Sequence, residues 1–540
     1  MQICLVHADT LIPRLFAGIA YLSAFLRQNG FRVNVIDFPA KYENICSDLE
    51  LLIILQKLKL NKKVETKNVN AHERYKLLDL INSWCEDIIK TRSEIVGFTV
   101  NMCNYKLSTL LAKDLKKERR DILTVFGGPQ CGIEVGGKVI PGLGVVDVVV
   151  HGEGEEVMLD IAKNYQNSST IDSVKGATIL KDGKPVYCGE RPPIKDLDSL
   201  PFPDFTDFEL QKYPKILPIV GSRGCIYRCS FCYHPVFWKT YRERSPPNIV
   251  AEMHHDVEKY EIRKFEFGDS LIDANLSRLE KMCDLIIESD LSIEWKAFAR
   301  MDRLSPSLLS KMHQAGCKEL EYGLESFSAK VLRDMRKRIT PEKIFNTLVW
   351  TTNSGIAMGL HFLTGFPTES KSDFVETLLN FYDIFRKGYL NNVDSYVWLH
   401  TLIVDPGTHL FLNPHDYGLK IKRRNPDDVF NLFDYRWTSK KVGGFDRIFR
   451  IQMLECLNYE LKEYEHCKET LFSGVLPIMD SIKKLSKSTY GKNRIKLFEN
   501  LYDRLLLIYA SSIVSGKNLS EMLSKESIRN EVLQSLTPNN

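Results

Sequence analysis

Three cysteines lie close together near the middle of the chain, in the segment GSRGCIYRCSFCYHP. Cys225, Cys229 and Cys232 have the spacing C-x₃-C-x₂-C and follow a short apolar run that predicts a strand. Thiolates are the ligands of iron–sulfur clusters, and a compact triplet lets one loop bind three irons of a cubane. Three ligands leave the fourth iron with an open coordination position, which catalysis requires. The spacing therefore predicts a [4Fe–4S] cluster bound by these three residues.

Two other interpretations of the triplet stay open at this point. A structural zinc site uses four ligands, and the nearest candidate for a fourth, His234, lies only two residues beyond Cys232. Three unrelated buried cysteines would also produce a triplet. The remaining ten of the 13 cysteines are scattered singly, which is typical of a reducing compartment rather than of a disulfide framework.

The elements that would position this loop follow a regular order. After residue 213, short apolar runs alternate with amphipathic segments, which predicts six strand–helix units. The strands are predicted at 215–222, 264–270, 293–300, 317–326, 357–366 and 393–404, and the helices near 246–260, 274–289, 305–315, 328–335, 341–354 and 370–387. This order predicts a partial (β/α)₆ barrel of the TIM type, with its chemistry at the C-terminal ends of the strands. The cysteine loop follows the first of these strands.

A second alternation fills the first 190 residues. The strands are predicted at 2–7, 31–38, 94–100 and 121–129, with 145–156 as a strand that runs into a helix and 47–92 as extra helix with a polar middle. This order predicts an α/β, parallel, doubly wound (Rossmann-like) sheet. In such sheets a ligand lies beyond the carboxyl ends of the strands, where glycines let the backbone approach it closely. The residues at these predicted ends are Thr99, Gly127, Gly128, Gly152 and Glu153.

Length divides the chain into several units. At roughly 150 residues per domain, 540 residues predict about three or four compact units. We expect a Rossmann-like domain at 1–190, an ordered linker rich in proline and aspartate at 191–212, the barrel at 213–408, and a helical C-terminal region at 409–540 that would cap the site or bind substrate.

Charge and hydropathy disfavour several classes of partner. Lysine and arginine number 73 against 69 acidic residues, for a net charge of +4 without a basic patch suited to nucleic acid. The most apolar stretch, 49–60, is interrupted by lysines and is shorter than the roughly 20 residues of a membrane span. The first residues lack the pattern of a secretory signal. We therefore expect a cytoplasmic protein with no nucleic-acid or membrane partner.

The cysteine segment resembles the signature of the radical S-adenosylmethionine (SAM) superfamily, C-x₃-C-x-aromatic-C, with Phe231 in the aromatic position. The resemblance implies that the open iron chelates the amino and carboxylate groups of SAM, and that one electron cleaves SAM to a 5′-deoxyadenosyl radical. Later strand ends are similar to SAM-binding segments of the same superfamily. The resemblance implies these SAM-binding residues: Phe231 in the aromatic position of the motif, Asp269 and Ser270 near the methionine amine, Arg300 near the carboxylate, Glu325 and Ser326 near the ribose, and Gly365 on the adenine side.

Residues 1–410 as a whole resemble the cobalamin-binding branch of that superfamily. The resemblance rests on the order of VHAD, AGIAYLSAFLRQNGFRVNVIDF, EIVGFTV, FGGP, GEGEE and LDSLPFPDF. It implies cobalamin at the strand ends listed above, namely Thr99, Gly127, Gly128, Gly152 and Glu153. The motif D-x-H-x-x-G is missing after the first strand, so no histidine of that motif would ligate the cobalt.

The resemblance implies a cobalamin-dependent methyltransferase that acts on an unactivated carbon of a biosynthetic intermediate or a peptide. It would need an external electron donor such as flavodoxin or ferredoxin. A cyclase or rearrangement enzyme without methyl transfer is the alternative enzyme, and an inactive cobalamin or redox sensor is the alternative of another class. A methylthiotransferase would need a second N-terminal cysteine triplet, whereas Cys4, Cys46 and Cys85 are widely spaced. No motif indicates the substrate or any further catalytic side chain.

Overall fold

The computed structural model describes residues 1–8, 15–38, 70–101, 104–133, 144–389, 394–423 and 435–439, together with 54, 59–60, 64–65, 441–442 and seven positions between 449 and 505. Two sheets dominate the described part of the chain. Each is built mainly of parallel strands with helices between them, so the α/β class predicted from the sequence is confirmed.

The N-terminal sheet has seven strands in the order β2-β1-β3-β4-β5-β6-β7. Its elements are β1 (Gln2–His7), α1 (Ala17–Gln28), β2 (Arg32–Asp37), α2 (Ala71–Lys90), β3 (Ile95–Thr99), α3 (Tyr105–Glu118), β4 (Leu123–Gly127), β5 (Val148–Val150), α4 (Glu155–Gln166), β6 (Ala177–Lys181) and β7 (Lys184–Tyr187). The first five strands are parallel, and β6 and β7 are added antiparallel.

Both faces of this sheet are covered by helices, which explains the continuous apolar runs of its strands. In β1, Ile3 and Leu5 belong to the core beneath α1 and α4, and Cys4 and Val6 belong to the core beneath α2 and α3. Successive side chains of a strand point to opposite faces. A doubly wound sheet is the result.

Two features of this unit differ from the sequence prediction. The hairpin β6–β7 was not predicted, although its turn residues Asp182 and Gly183 both have positive φ and form the Asp-Gly signal of a tight hairpin. In the segment 47–92, the described residues form α2 and a two-residue antiparallel pair, 59–60 with 64–65. The rest of that predicted helix lies outside the described residues.

The second sheet has six parallel strands in sequence order, β8 to β13. Its elements are β8 (Leu217–Ile219), α5 (His234–Trp238), α6 (Pro246–Tyr260), β9 (Lys264–Phe267), α7 (Leu276–Glu288), β10 (Glu294–Ala299), α8 (Pro306–Gln314), β11 (Cys317–Glu325), α9 (Ala329–Asp334), α10 (Pro341–Ser354), β12 (Ala357–Thr364), α11 (Lys371–Arg386) and β13 (Tyr396–Thr401). The six predicted strand–helix units are therefore present, as an open barrel wall.

Local sequence fixes where the barrel helices begin. Ser245, Ser305 and Thr340 each accept a backbone N–H of the first helical turn, and a proline follows each of them. A side-chain cap satisfies an otherwise unpaired N–H, and proline suits the first helical position. These capping residues thus fix where the loop before each helix ends.

Alternation along the barrel strands separates a core face from an interior face. In β10, Trp295, Ala297 and Ala299 are buried in the core beneath the helices. Lys296 and Phe298 line the opposite, concave face. The interior of the barrel is thus partly polar.

The C-terminal region begins with α12 (His409–Leu412) and an antiparallel pair, β14 (Leu419–Arg423) and β15 (Tyr435–Ser439). Most of the predicted helical region 409–540 lies outside the described residues. No helix in the described ranges is long and apolar enough to cross a membrane.

Candidate functional site

The cysteine loop lies at the C-terminal end of β8, between the two-residue strand Ser222–Arg223 and α5. Gly224 opens the loop with φ +91°, and a Cβ there would lie 2.4 Å from the carbonyl oxygen of Thr240. Only glycine fits this position. The turn directs the three following cysteines away from the sheet, and all three are partly exposed.

The surroundings of Cys225, Cys229 and Cys232 shift the pKa of all three thiols in the same direction. Burial raises the pKa of each, to about 12 for Cys232. Lys337 and Arg300 oppose this effect at Cys229. Because thiolates are the metal-binding form, cluster binding would release these protons.

The residues present fit a cluster of the kind predicted. Three partly exposed thiols share one loop, and two cations beside them can offset thiolate charge. Among the described residues, no group of three or more His, Cys, Asp or Glu side chains converges to hold a single metal ion. A cubane requires a different geometry, because each thiolate ligates a separate iron.

Arg300 is held against this loop. Its guanidinium carbon lies 3.7 Å from the ring centre of Tyr227, which stands between the first two cysteines. Nε donates to Oδ1 of Asp302 at 2.9 Å, and Nη2 donates to the carbonyl of Lys337. The side chain is therefore a buried, oriented cation just beyond the end of β10, and its contact with a ligand carboxylate remains a prediction.

Glu325 ends β11 in an unusual conformation. Its φ is +68°, and the pairing of β11 with β12 shifts register between Gly323 and Glu325. Such a bulge redirects a side chain, and a non-glycine residue at positive φ is often functionally constrained. Oε1 accepts from Nζ of Lys337 at 2.6 Å. Lys337 therefore links Glu325 to the cysteine loop.

Asp269 does not present a free carboxylate. It is fully buried, and its oxygens accept from Gly221 N and Ser222 Oγ, both at 2.6 Å. It thus braces the strand that leads into the cysteine loop. Its neighbour Ser270 instead hydrogen-bonds Nδ1 of His234 at 2.7 Å, just beyond the last cysteine.

The other residues predicted to bind SAM have structural partners. Ser326 is buried and bonds Oγ1 of Thr377 at 2.9 Å. Gly365, at φ +74°, donates its N–H to Glu369 at 2.9 Å. Phe231 packs against the small apolar cluster behind the loop. Contact of any of these residues with SAM remains a prediction.

A cavity of about 260 Å³ lies at the carboxyl ends of the N-terminal strands. Thr99, Gly127, Gly128, Gly152 and Glu153, the residues predicted at these ends, all line it. On the opposite side it is bordered by Arg223, from the strand that precedes the cysteine loop, and by Phe237 and Trp238 of α5. A second cavity of about 300 Å³ shares Gly152, Glu153, Phe237 and Trp238 with it. The two cavities are therefore adjacent, and together they are called the trough below.

Two glycines leave the first cavity open. A Cβ on Gly18 or Gly152 would meet no atom within 4 Å, so it would project into the empty space. Gly128 serves a different purpose, since a Cβ there would lie 2.8 Å from the carbonyl oxygen of Val100. Gly18 and Gly152 thus make a glycine cradle, which allows a ligand to approach the backbone closely.

Glu153 acts mainly as an ion-pair residue. Oε1 lies 2.6 Å from Arg223 and Oε2 lies 2.8 Å from Arg242, and Oε2 also accepts from the N–H of Ile194 at 2.8 Å. Glu155 binds the same Arg223. The loop that was predicted to bind cobalamin therefore joins the two sheets directly.

Sequence reasoning overlooked four residues of the site. Tyr227 packs against Arg300, and Lys337 donates to Glu325. The other two, Arg223 and Trp238, border the cavity. Arg223 and Trp238 flank the cysteine motif in the sequence, so their closeness to it was a usable signal. Lys337 lies outside every predicted strand end, and only the fold brings it to the site.

Comparison with known proteins agrees with this architecture. Residues 219–380 match the Radical SAM superfamily. The chain is 27% identical over 298 residues to an uncharacterized methyltransferase of Pyrococcus horikoshii, covering 54% of this chain and 64% of that one. It is 29% identical over 305 residues to the anaerobic magnesium-protoporphyrin IX monomethyl ester cyclase of Rubrivivax gelatinosus, covering 54% of each. The chain thus matches less than two thirds of either relative's length.

The fold also matches a solved structure over most of its length. The radical SAM methyltransferase TsrM from Kitasatospora setae, solved with cobalamin and a [4Fe–4S] cluster bound, superposes with a TM-score of 0.62. The match covers 91% of this chain and 97% of that one at 15% identity, so the likeness concerns the fold. A radical SAM domain implies a [4Fe–4S] cluster and SAM. Residues 219–380 therefore form a radical SAM domain, and the chain has the two-sheet fold of TsrM.

Proposed function

We propose that this protein is a cobalamin-dependent radical SAM methyltransferase that acts on an unactivated carbon of a small biosynthetic intermediate or a peptide. One observation carries the proposal. The trough at the strand ends of the N-terminal sheet is bordered by Phe237 and Trp238, which lie five and six residues after Cys232. A ligand in the trough and a cluster on the loop would therefore be neighbours.

The chain's own residues would hold these groups in place. Cys225, Cys229 and Cys232 supply three thiolates, and Arg300, fixed by Tyr227, supplies a cation for a carboxylate. The glycine cradle takes the bulky ligand. When bound, the cluster with SAM supplies a carbon-centred radical and cobalamin supplies a methyl group, so the protein's contribution is placement and exclusion of water.

The first test is the metal content of protein purified without oxygen from cells supplied with cobalamin. We expect about four irons and about one cobalt per chain, the latter for one cobalamin in the trough. Cys225→Ala should lose most of its iron and reduce 5′-deoxyadenosine formation to background, because a cubane site with two protein ligands is unstable. Cys188→Ala, which removes a partly exposed thiol on the N-terminal hairpin, is the matched control and should retain both.

Each result has a definite meaning. If Cys225→Ala kept the wild-type iron content and formed 5′-deoxyadenosine at the wild-type rate, the assignment of the cluster to this loop would be wrong. Iron without cobalt in the wild-type protein would reject the cobalamin assignment and leave a cobalamin-independent radical enzyme. Absence of any SAM cleavage after cluster reconstitution would favour a sensor.

A cyclase that transfers no methyl group is the second candidate, and it is favoured by the similarity to the Rubrivivax gelatinosus cyclase. S-adenosylhomocysteine distinguishes the two. The reduced, cobalamin-loaded protein given SAM should form about one equivalent per cobalamin if it is a methyltransferase and none if it is a cyclase. Either enzyme would draw electrons from a donor such as flavodoxin or ferredoxin.

A further inference from the structure

The concave face of the barrel encloses a second polar site, away from the cysteine loop. A cavity of about 490 Å³ is lined there by side chains from five neighbouring strands, β9 to β13, among others. Its titratable lining residues are Tyr213, Glu266, Lys296, Glu321, His361, Tyr396 and His400. The reaction proposed above uses none of them.

Three of these residues form a continuous hydrogen-bonded row across β11, β12 and β13. Oε2 of Glu321 lies 2.8 Å from Nε2 of His361. Nδ1 of His361 lies 2.8 Å from Nε2 of His400, and the two rings are nearly parallel, at 4°. Exposure increases along the row, from buried Glu321 through half-buried His361 to exposed His400. The row thus leads from the wall of the barrel to its open space.

The chemistry of the three side chains fixes which atom donates and which accepts in each hydrogen bond of the row. A carboxylate only accepts hydrogen bonds, so Nε2 of His361 carries a proton. A neutral His361 then accepts at Nδ1, which requires a proton on Nε2 of His400. Nδ1 of His400 is left with a lone pair, which makes it the proton-accepting end of the row.

The strand register places this end at the height of the predicted SAM site. Glu325 pairs with Phe362, and Phe362 pairs with Leu399, the residue before His400. Two strand spacings separate β11 from β13, which is about 10 Å. His400 is therefore level with Glu325 on the same barrel wall.

The charges of the cavity favour one class of ligand. Glu266 and Glu321 both approach Lys296, at 3.4 and 3.8 Å, and Tyr396 donates to a third carboxyl group, Glu319, at 2.6 Å. Two carboxylates thus share one lysine, and a third carboxyl group is hydrogen-bonded to Tyr396, which lines the cavity. Hydrogen-bond donors suit such a surface, whereas an added carboxylate or phosphate would be repelled.

We propose that Glu321, His361 and His400 form a proton relay, in which His400 accepts a proton from the O–H or N–H group of a substrate in the barrel. This inference rests on the proposed function for the presence of a substrate. The substrate's X–H bond breaks and an N–H bond forms at Nδ1 of His400. The proton on Nε2 of His400 passes to Nδ1 of His361, and the imidazolium so formed is stabilised by Glu321. No electron is transferred, so the relay needs no further reactant.

The electrostatic surroundings of His400 agree with this role. Burial and the adjacent His361 lower its pKa, while Glu325 and Glu321 oppose them. His400 is thus neutral near neutral pH and able to accept a proton. His361 and Glu321 act as positioning residues.

The relay can be tested without the substrate, on the full-length protein. Diethylpyrocarbonate modifies the unprotonated imidazole, and peptide mass spectrometry gives the modification rate of His400 at each pH. In Glu321→Gln the opposing charge is lost, so the apparent pKa of His400 should fall by about half a unit to one unit. At pH values below the pKa of His400, the variant should therefore be modified at His400 about 3- to 10-fold faster than the wild-type protein. Tyr396→Phe, which alters the same cavity outside the row, is the control and should leave the rate unchanged.

A second variant shows whether His361 carries the effect. In a His361→Gln background, Glu321→Gln should shift the titration of His400 by less, because only the direct charge effect of Glu321 remains. An unshifted titration in Glu321→Gln, or an equal shift without His361, would overturn the relay. Formation of 5′-deoxyadenosine in the wild-type protein is measured in parallel. Absence of 5′-deoxyadenosine would refute the proposed function. The titration of His400 would still test the relay independently.

Discussion

The buried ion pairs of Arg223 connect the two sheets, and we predict that they contribute strongly to stability. Arg223 precedes the cysteine loop and binds two carboxylates of the opposite unit, Glu153 at 2.6 Å and Glu155. The three side chains are only 8 to 10% exposed. Replacing Arg223 with methionine keeps an unbranched apolar stem and removes the guanidinium group with its charge.

The expected cost follows from the charge that is left behind. Glu153 retains Arg242 at 2.8 Å, so the carboxylate left without a cation is Glu155. Removing one partner of a buried pair costs about 3–5 kcal/mol. Glu155 lies in the first turn of α4, where the helix dipole compensates part of the cost. We therefore expect Arg223→Met to lower the free energy of unfolding by about 3 kcal/mol.

The chain provides a matched control. Arg191 also binds two carboxylates, Glu156 at 2.9 Å and Asp160 at 2.7 Å, but these are more than 40% exposed. Exposed pairs contribute about 0–1 kcal/mol, so Arg191→Met should have little effect. Glu155→Gln introduced into Arg223→Met should recover part of the loss, because it removes the unpaired charge.

Urea unfolding followed by far-ultraviolet circular dichroism measures these differences. Tryptophan fluorescence is less suitable, because Trp238 lies beside Arg223. The shift in the midpoint of the first transition, at constant slope, gives the change in free energy. Equal losses in Arg223→Met and Arg191→Met would refute the argument that burial makes this pair important.

Two further predictions concern buried groups elsewhere. Burial raises the pKa of Asp256 to about 8, so the folded protein keeps a proton that the unfolded chain loses near pH 4, and stability falls as pH rises through that window. The free energy of unfolding of Asp256→Asn relative to wild type should therefore increase by about 1.4 kcal/mol for each pH unit between 5 and 7. Urea midpoints measured at each pH test this, and a difference that does not change with pH would contradict it. Gly128→Ala would place a Cβ 2.8 Å from the Val100 carbonyl at φ +112° and should cost about 1–3 kcal/mol and lower the cobalt content. Gly18→Ala, at a helical site with open space, should not destabilise the cobalamin-free protein, and a loss equal to that of Gly128→Ala would reject the steric argument.

Much of the architecture could be predicted from local sequence. Each barrel strand is a short apolar run, and each following helix begins at a capping residue such as Ser245 or Thr340. These signals act over a few residues, so they survive without knowledge of the fold. The antiparallel hairpin β6–β7 was overlooked although its Asp-Gly turn is equally local.

The site was only partly predictable for a different reason. The cysteine spacing identifies a cluster loop because one loop provides all three thiols. Asp269 and Ser326 were selected by motif, yet the fold uses their side chains to brace Ser222 and Thr377. A motif places a residue at a strand end, whereas its free hydrogen-bonding capacity depends on neighbours distant in sequence.

The sequence by itself determined the two βα series, the cysteine loop and the glycines at the strand ends. The tertiary structure decided which distant residues meet there. Arg223 reaches Glu153 across 70 positions, Lys337 reaches Glu325, and His400 reaches His361 only because β12 and β13 pair in register. Such contacts depend on side-chain direction and strand register, which no local pattern specifies.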